Sequence, residues 1–172
     1  MNLTVSILSA CLLAGALLAP GLRWRRAAFA GFVTLGVFSF ALRAGWPARP
    51  LVPTACELLV APVLALHSFR NTPHILLFAC CFLVARAQFR PAGPDRRARR
   101  RAGAAAFATT LAVGALLELA QGASGAGHCR LRDLLPDTAG ALLGWATLAT
   151  LTTLTAAYTR WWPGRSDARV AA

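Results

Sequence analysis

The sequence has no lysine. All 18 basic residues of its 172 are arginine, and six acids oppose them, for a formal net charge of +12. A surplus of that size suggests nucleic acid as a partner, but no nucleic-acid motif and no aromatic-rich basic patch accompanies it. The arginines fall almost wholly between apolar runs, as the positive-inside rule expects of loops near anionic lipid, so nucleic acid is set aside. Charged residues are also scarce: 14% of the chain against 57% hydrophobic, too little polar surface to cover a domain dissolved in water. No Cys-x-x-Cys pair, His-Glu-x-x-His or paired-His spacing occurs, so no metal or other cofactor is expected. Cys11, Cys80 and Cys81 lie in apolar runs, Cys56 is assigned to another, and only Cys129 falls in a polar loop. That distribution argues against a disulfide framework and makes the first four small packing residues. A basic n-region is absent from Met1 to Ser6, so the first apolar run reads as a retained span rather than a signal peptide.

What is present is a series of apolar runs approaching the ~20 residues that cross a ~30 Å hydrocarbon core. They cover 3–19, 27–46, 51–66, 74–88, 103–120 and 138–158. The expected fold is all-α, a polytopic transmembrane bundle of five or six spans forming one integral membrane domain over residues 1–172. The third run is short and holds Pro53, Glu57 and Pro62, so it spans or re-enters. Glu57, near one end of that run, reads as snorkelling or protonated. Residues 90–101, RPAGPDRRARRR, break the apolar pattern as a solvated loop, and the tail over 164–172 is short, polar and expected to be mobile.

Arginine counts set the orientation. With six spans, 12 arginines share the side of 90–101 and 6 lie opposite; if 51–66 does not cross, the division is 13 against 5. Either way the 90–101 side is cytoplasmic and the segment from Gly122 to Arg132, with Arg70, Asn71 and His74, faces outward. The expected location is the cell membrane, multi-pass, with Cys129 open to an impermeant thiol reagent in intact cells.

The stretch from Glu118 to Gly144, ELAQGASGAGHCRLRDLLPDTAGALLG, carries much of the polar chemistry. Glu118 and Gln121 share a face at the end of one apolar helix by i,i+3 spacing, and Asp133 and Asp137 share one at the start of the next by i,i+4 spacing. His128, Cys129, Arg130 and Arg132 lie between them. Gly140 and Gly144 make a small-xxx-small face suited to close helix packing.

At these residues the chain resembles the VanZ-like family of small polytopic membrane proteins. That family carries Glu-x-x-Gln at a helix end, a loop Arg, then Asp-x-x-x-Asn-x-x-Gly-x-x-x-Gly. Glu118, Gln121, Asp133, Gly140 and Gly144 match by position, Arg130 corresponds to the loop Arg, and Asp137 stands where the family carries Asn. A second family segment is matched by Arg70, Asn71 and Phe78, with His74 in place of its second Asn. The resemblance covers about residues 70–150. It implies an association with glycopeptide (teicoplanin-type) resistance in some members and assigns no mechanism.

An ionisable group in a bilayer costs several kcal/mol unless it is at the interface, paired, or in a wet cavity, so this cluster needs an account. One is architectural: Asp133 as the N-cap of the last helix, Asp137 favoured by the helix dipole, and Arg130 or Arg132 paired with Glu118. Another is an outward-facing polar site of Glu118, Gln121, Arg130, Asp133 and Asp137, with Asn71 and His74 opposite. Such a site would take the headgroup of a membrane lipid or a cell-envelope precursor lipid. A membrane enzyme acting at that headgroup is a third reading. A lipid phosphatase is disfavoured because the Ser124 to His128 segment lacks that signature's Pro and spacing. An intramembrane aspartyl protease would need a second catalytic Asp in another span.

Overall fold

The computed structural model describes residues 3–58, 68–69, 72–89 and 95–161. Within them run five α-helices: α1 (Leu3–Leu18), α2 (Leu22–Arg43), α3 (Thr72–Gln88), α4 (Arg96–Ser124) and α5 (Leu134–Trp161), the last preceded by a 3-10 turn at Leu131–Asp133. No strand occurs among the described residues, only an isolated parallel bridge between Glu57 and Arg130. Three segments are long and apolar enough to cross a membrane: Leu22–Arg43, Arg96–Ser124 and Leu131–Trp161. α1 and α3 are shorter apolar helices. At 1.5 Å per residue, the 29 residues of α4 reach about 43 Å, more than a hydrocarbon core.

Several boundaries differ from the sequence reading, and local chemistry explains them. Residues Arg96 to Arg101, expected in a solvated loop, form the first turns of α4. The Asp95 carboxylate accepts hydrogen bonds from the backbone N–H groups of Arg97 (2.9 Å) and Ala98 (3.3 Å), and arginine is a good helix former. Trp24, Arg25 and Arg26 likewise belong to α2, whose helix starts directly after Gly21. α5 begins at Leu134 and carries Pro136 in its first turn, where a missing N–H costs no helical bond. The 164–172 tail lies outside the described residues.

The bundle closes where α3 and α5 meet. A Cβ on Gly140 would collide with the Ile75 carbonyl oxygen and lie 2.8 Å from Phe78 Cβ; one on Gly144 would lie 2.7 Å from the Ala79 carbonyl oxygen. Glycine therefore allows backbone to meet backbone over two successive turns. One turn further, Phe82 of α3 stacks on Trp145 of α5 with ring centroids 5.8 Å apart, and Phe107 of α4 meets the same indole at 6.2 Å. Phe82, Ala85, Ala106 and Ala141 are wholly buried there. Leu142, Leu151, Leu154, Tyr158 and Trp161 of α5 stay exposed, a surface that water penalises and hydrocarbon does not.

The two ends of the bundle differ in what they hold. At one end the Gln88 side chain, at the C-terminus of α3, donates to the Ala16 carbonyl of α1 at 3.0 Å. At the other, residues 51–58 run without helix across the loop that follows α4. Thr54 N–H donates to the Gly122 carbonyl, Glu57 N–H to the Cys129 carbonyl, and Leu131 N–H to the Glu57 carbonyl, at 2.8–3.0 Å. Ser68, just before α3, donates to the Asp133 carboxylate at this same end. Both flanks of the third apolar run thus lie at one end of the bundle; its residues 59–66 lie outside the described set.

Gly140→Leu should lower stability by about 1–3 kcal/mol through overpacking against α3, whereas Leu142→Ala, on the exposed face, should change little. Melting of the two variants in detergent checks this; equal losses would remove the case for a glycine contact.

Candidate functional site

The polar residues gather at the end covered by residues 51–58. Glu118, in the next-to-last turn of α4, is only 5% exposed. Its Oε2 accepts the Arg130 backbone N–H at 3.0 Å, and its Oε1 accepts from Gln121 Nε2 at 3.4 Å. The helix then stops at Ser124, because Gly125 takes the left-handed conformation (φ 68°) that reverses the chain. The backbone after α4 thereby turns back over Glu118, and a carboxylate buried beneath the loop satisfies one of its amides.

Arg130 and Arg132 do not pair with Glu118. Their side chains close on Glu57 instead, Arg130 Nε at 3.4 Å from Oε2 and Arg132 Nη1 donating to Oε1 at 3.2 Å. Glu57, read in the sequence as a snorkelling or protonated group within an apolar run, is the counter-ion of both loop arginines. The non-helical backbone of 51–58 is what brings it there.

The cysteine reading is overturned in the same place. Cys56 and Cys129 form a disulfide with Cα atoms 4.6 Å apart across 73 residues of sequence. In the sequence Cys56 reads as an apolar packing residue because Leu51 to Leu66 forms one hydrophobic run, and only the tertiary path sets it against the loop. Cys129 is consequently no free thiol.

Asp137 lies one turn into α5, 1% exposed, and its Oδ1 meets His74 Nδ1 at 3.2 Å. The carboxylate has space because residue 114 of α4 is glycine: a Cβ there would be 2.6 Å from Asp137 Oδ2. The His74 ring stacks on Phe78, one turn along α3, at 6.2 Å, and its side chain remains 32% exposed. Among the described acids Asp137 alone touches that imidazole, while the carboxylates of Glu118 on α4 and Asp133 in the 3-10 turn lie near enough to act on it electrostatically.

Asp133 ends the 3-10 turn, and its carboxylate accepts from Ser68 Oγ at 3.3 Å. Pro136 removes one of the two amides an N-cap there could receive, leaving that of Leu135, and among the described residues the hydrogen-bond partner of the Asp133 carboxylate is Ser68. Asn71 lies outside the described residues, as does Arg70. His128 is exposed on the loop. Among the described residues no group of three or more His, Cys, Asp or Glu could hold a metal ion.

Sequence reasoning missed Ser68, Gly114 and the Cys56–Cys129 link. A lone serine before an apolar run carries no local signal, and neither does a glycine within one. The disulfide joins segments whose proximity no spacing shows. No protein-family model, curated protein or solved structure matches this chain.

Two outcomes check this geometry. An impermeant maleimide on intact cells should label Cys56 and Cys129 only after an impermeant reductant; labelling without reduction would deny the bond, and labelling only in opened cells would reverse the orientation. Gly114→Ala should cost about 1–3 kcal/mol by displacing the Asp137 carboxylate, and adding Asp137→Ser should recover part of that loss in a thermal melt.

Proposed function

We propose that this chain is a multi-pass, VanZ-like membrane protein whose outward end takes the headgroup of a cell-envelope lipid or lipid-linked precursor. The family part of that reading is supported by Glu118, Gln121, Asp133, Gly140 and Gly144 at the family's spacing. Five crossings follow if 51–66 stays at the end where both its flanks lie. The N-terminus is then outside, and arginines divide 13 to the cytoplasmic side against 5 outside. The disulfide agrees with this orientation, since such bonds persist in oxidising compartments and are rare in the cytosol.

The observation that carries the site is the His74–Asp137 pair. Glu118 is engaged by the Arg130 amide and Gln121, and Glu57 by two arginines, so these acids chiefly hold the loop in place. His74 differs: it is backed by a buried carboxylate yet remains partly exposed. A carboxylate on one ring nitrogen fixes the orientation of an imidazole, leaving the other nitrogen to meet a phosphate or hydroxyl. The same pair supports a second reading, proton transfer at the headgroup by a membrane enzyme.

Asp137→Asn keeps size and hydrogen bonding but removes the charge behind His74. It should leave the melting temperature close to wild type and lower co-purification of the bound envelope lipid by about tenfold, with His74→Gln equivalent and the double variant little worse. Any glycopeptide resistance conferred by the protein should fall in parallel. Wild-type lipid content in both single variants would reduce the cluster to architecture, and turnover of the co-purified lipid would establish the enzyme.

A further inference from the structure

At the opposite end from His74 lies a cavity of about 520 Å³ between α3, α4 and α5, which the reading above does not use. Four arginines reach it, Arg86 from α3 and Arg96, Arg99 and Arg100 from α4, and Trp145 and Leu148 of α5 form an apolar wall. We propose that this cavity binds the headgroup of an anionic glycerophospholipid of the cytoplasmic leaflet, its phosphate among the arginines and its glycerol and upper acyl chain along the α5 wall.

The cations there have little else to answer them. Among the described residues no carboxylate pairs with any of the four, and the nearby Asp95 side chain is engaged in capping α4. Arg96, Arg99 and Arg100 fall at i, i+3 and i+4, one face of one helix, where like charges repel. They also occupy the first turns of α4, the positive end of its dipole, with no acid in the first turn. The protein's own electrostatics disfavour that arrangement, and a bound anion reverses the sign of each contribution. The positive-inside rule accounts for arginines at this end of the bundle, but not for their convergence on a cavity with an indole in its wall. A free anion would leave that wall wet; a phospholipid covers it, its acyl chain running from the arginines past Trp145 toward the exposed Leu142 and the middle of the bundle.

The proposal rests on the membrane reading but not on the headgroup site at the outer end. The test is native mass spectrometry of the detergent-solubilised full chain, titrated with phosphatidylglycerol or phosphatidylcholine, with and without millimolar inorganic phosphate. Phosphatidylglycerol should bind at least about tenfold more tightly than phosphatidylcholine, and the triple variant Arg96→Gln, Arg99→Gln, Arg100→Gln should erase that preference. Arg26→Gln, Arg97→Gln, Arg101→Gln, which removes three charges outside the cavity, should keep it, and both variants should melt like wild type in phosphatidylcholine. Equal binding of the two lipids, equal loss in both variants, or displacement of the lipid by phosphate would overturn the proposal. Binding retained by the cavity variant would do the same. Release of the chain from membranes by alkaline carbonate would overturn the membrane reading, and the proposal with it.

Discussion

The close approach of α3 and α5 at Gly140 and Gly144 is the contact on which the other features depend. With two carbonyl oxygens of α3 lying where side chains of α5 would otherwise be, the register between the helices has little freedom. Phe82 is therefore brought over Trp145 toward one end, and His74 over Asp137 toward the other. The His74 site is built on this helix pair and the arginine cavity takes its apolar wall from it, so a slip of a single turn would disturb both. In hydrocarbon, such packing must supply the association energy that expulsion of water supplies to soluble helices.

The outer end is organised differently, by the satisfaction of polar groups. A loop leaving a helix at membrane depth exposes amides and carbonyls that need partners. Glu118 supplies one from below, and residues 51–58 supply three backbone bonds from above, with Glu57 pairing with both loop arginines and the Cys56–Cys129 bond closing the arrangement. Residues of the same type thus take different places. Glu57 and Glu118 hold backbone and cations in place, while Asp137 holds an imidazole that remains partly exposed.

Charge is separated along the molecule. Four of the six acids, Glu57, Glu118, Asp133 and Asp137, gather at the outer end, and the run from Arg96 to Arg101 lies at the other. One end thus presents partly buried acids around one histidine, and the other presents guanidinium groups that, among the described residues, have no carboxylate partner; it is this asymmetry that the positive-inside rule reads in the proposed orientation.

Composition alone determined that the chain is helical and carries helices fit for a membrane, because 57% hydrophobic residues in runs near the length of a span leave few alternatives. Local spacing placed Glu118, Gln121, Asp133 and Asp137 at two adjoining helix ends, since helical periodicity depends on neighbours a few residues away. The partner of each acid lay beyond that reach. Arg130 offers Glu118 its backbone rather than its side chain, Glu57 comes from a segment that reads as apolar, and Cys56 meets Cys129 across 73 residues. Asp95 was legible as a polar residue in an arginine-rich stretch, yet its capping of α4 turned an expected loop into helix. Short-range order follows from the periodicity of side chains along a chain; which distant backbones meet is decided by packing the whole bundle at once, and here that packing set one acid under the loop amide of Arg130 and another against His74.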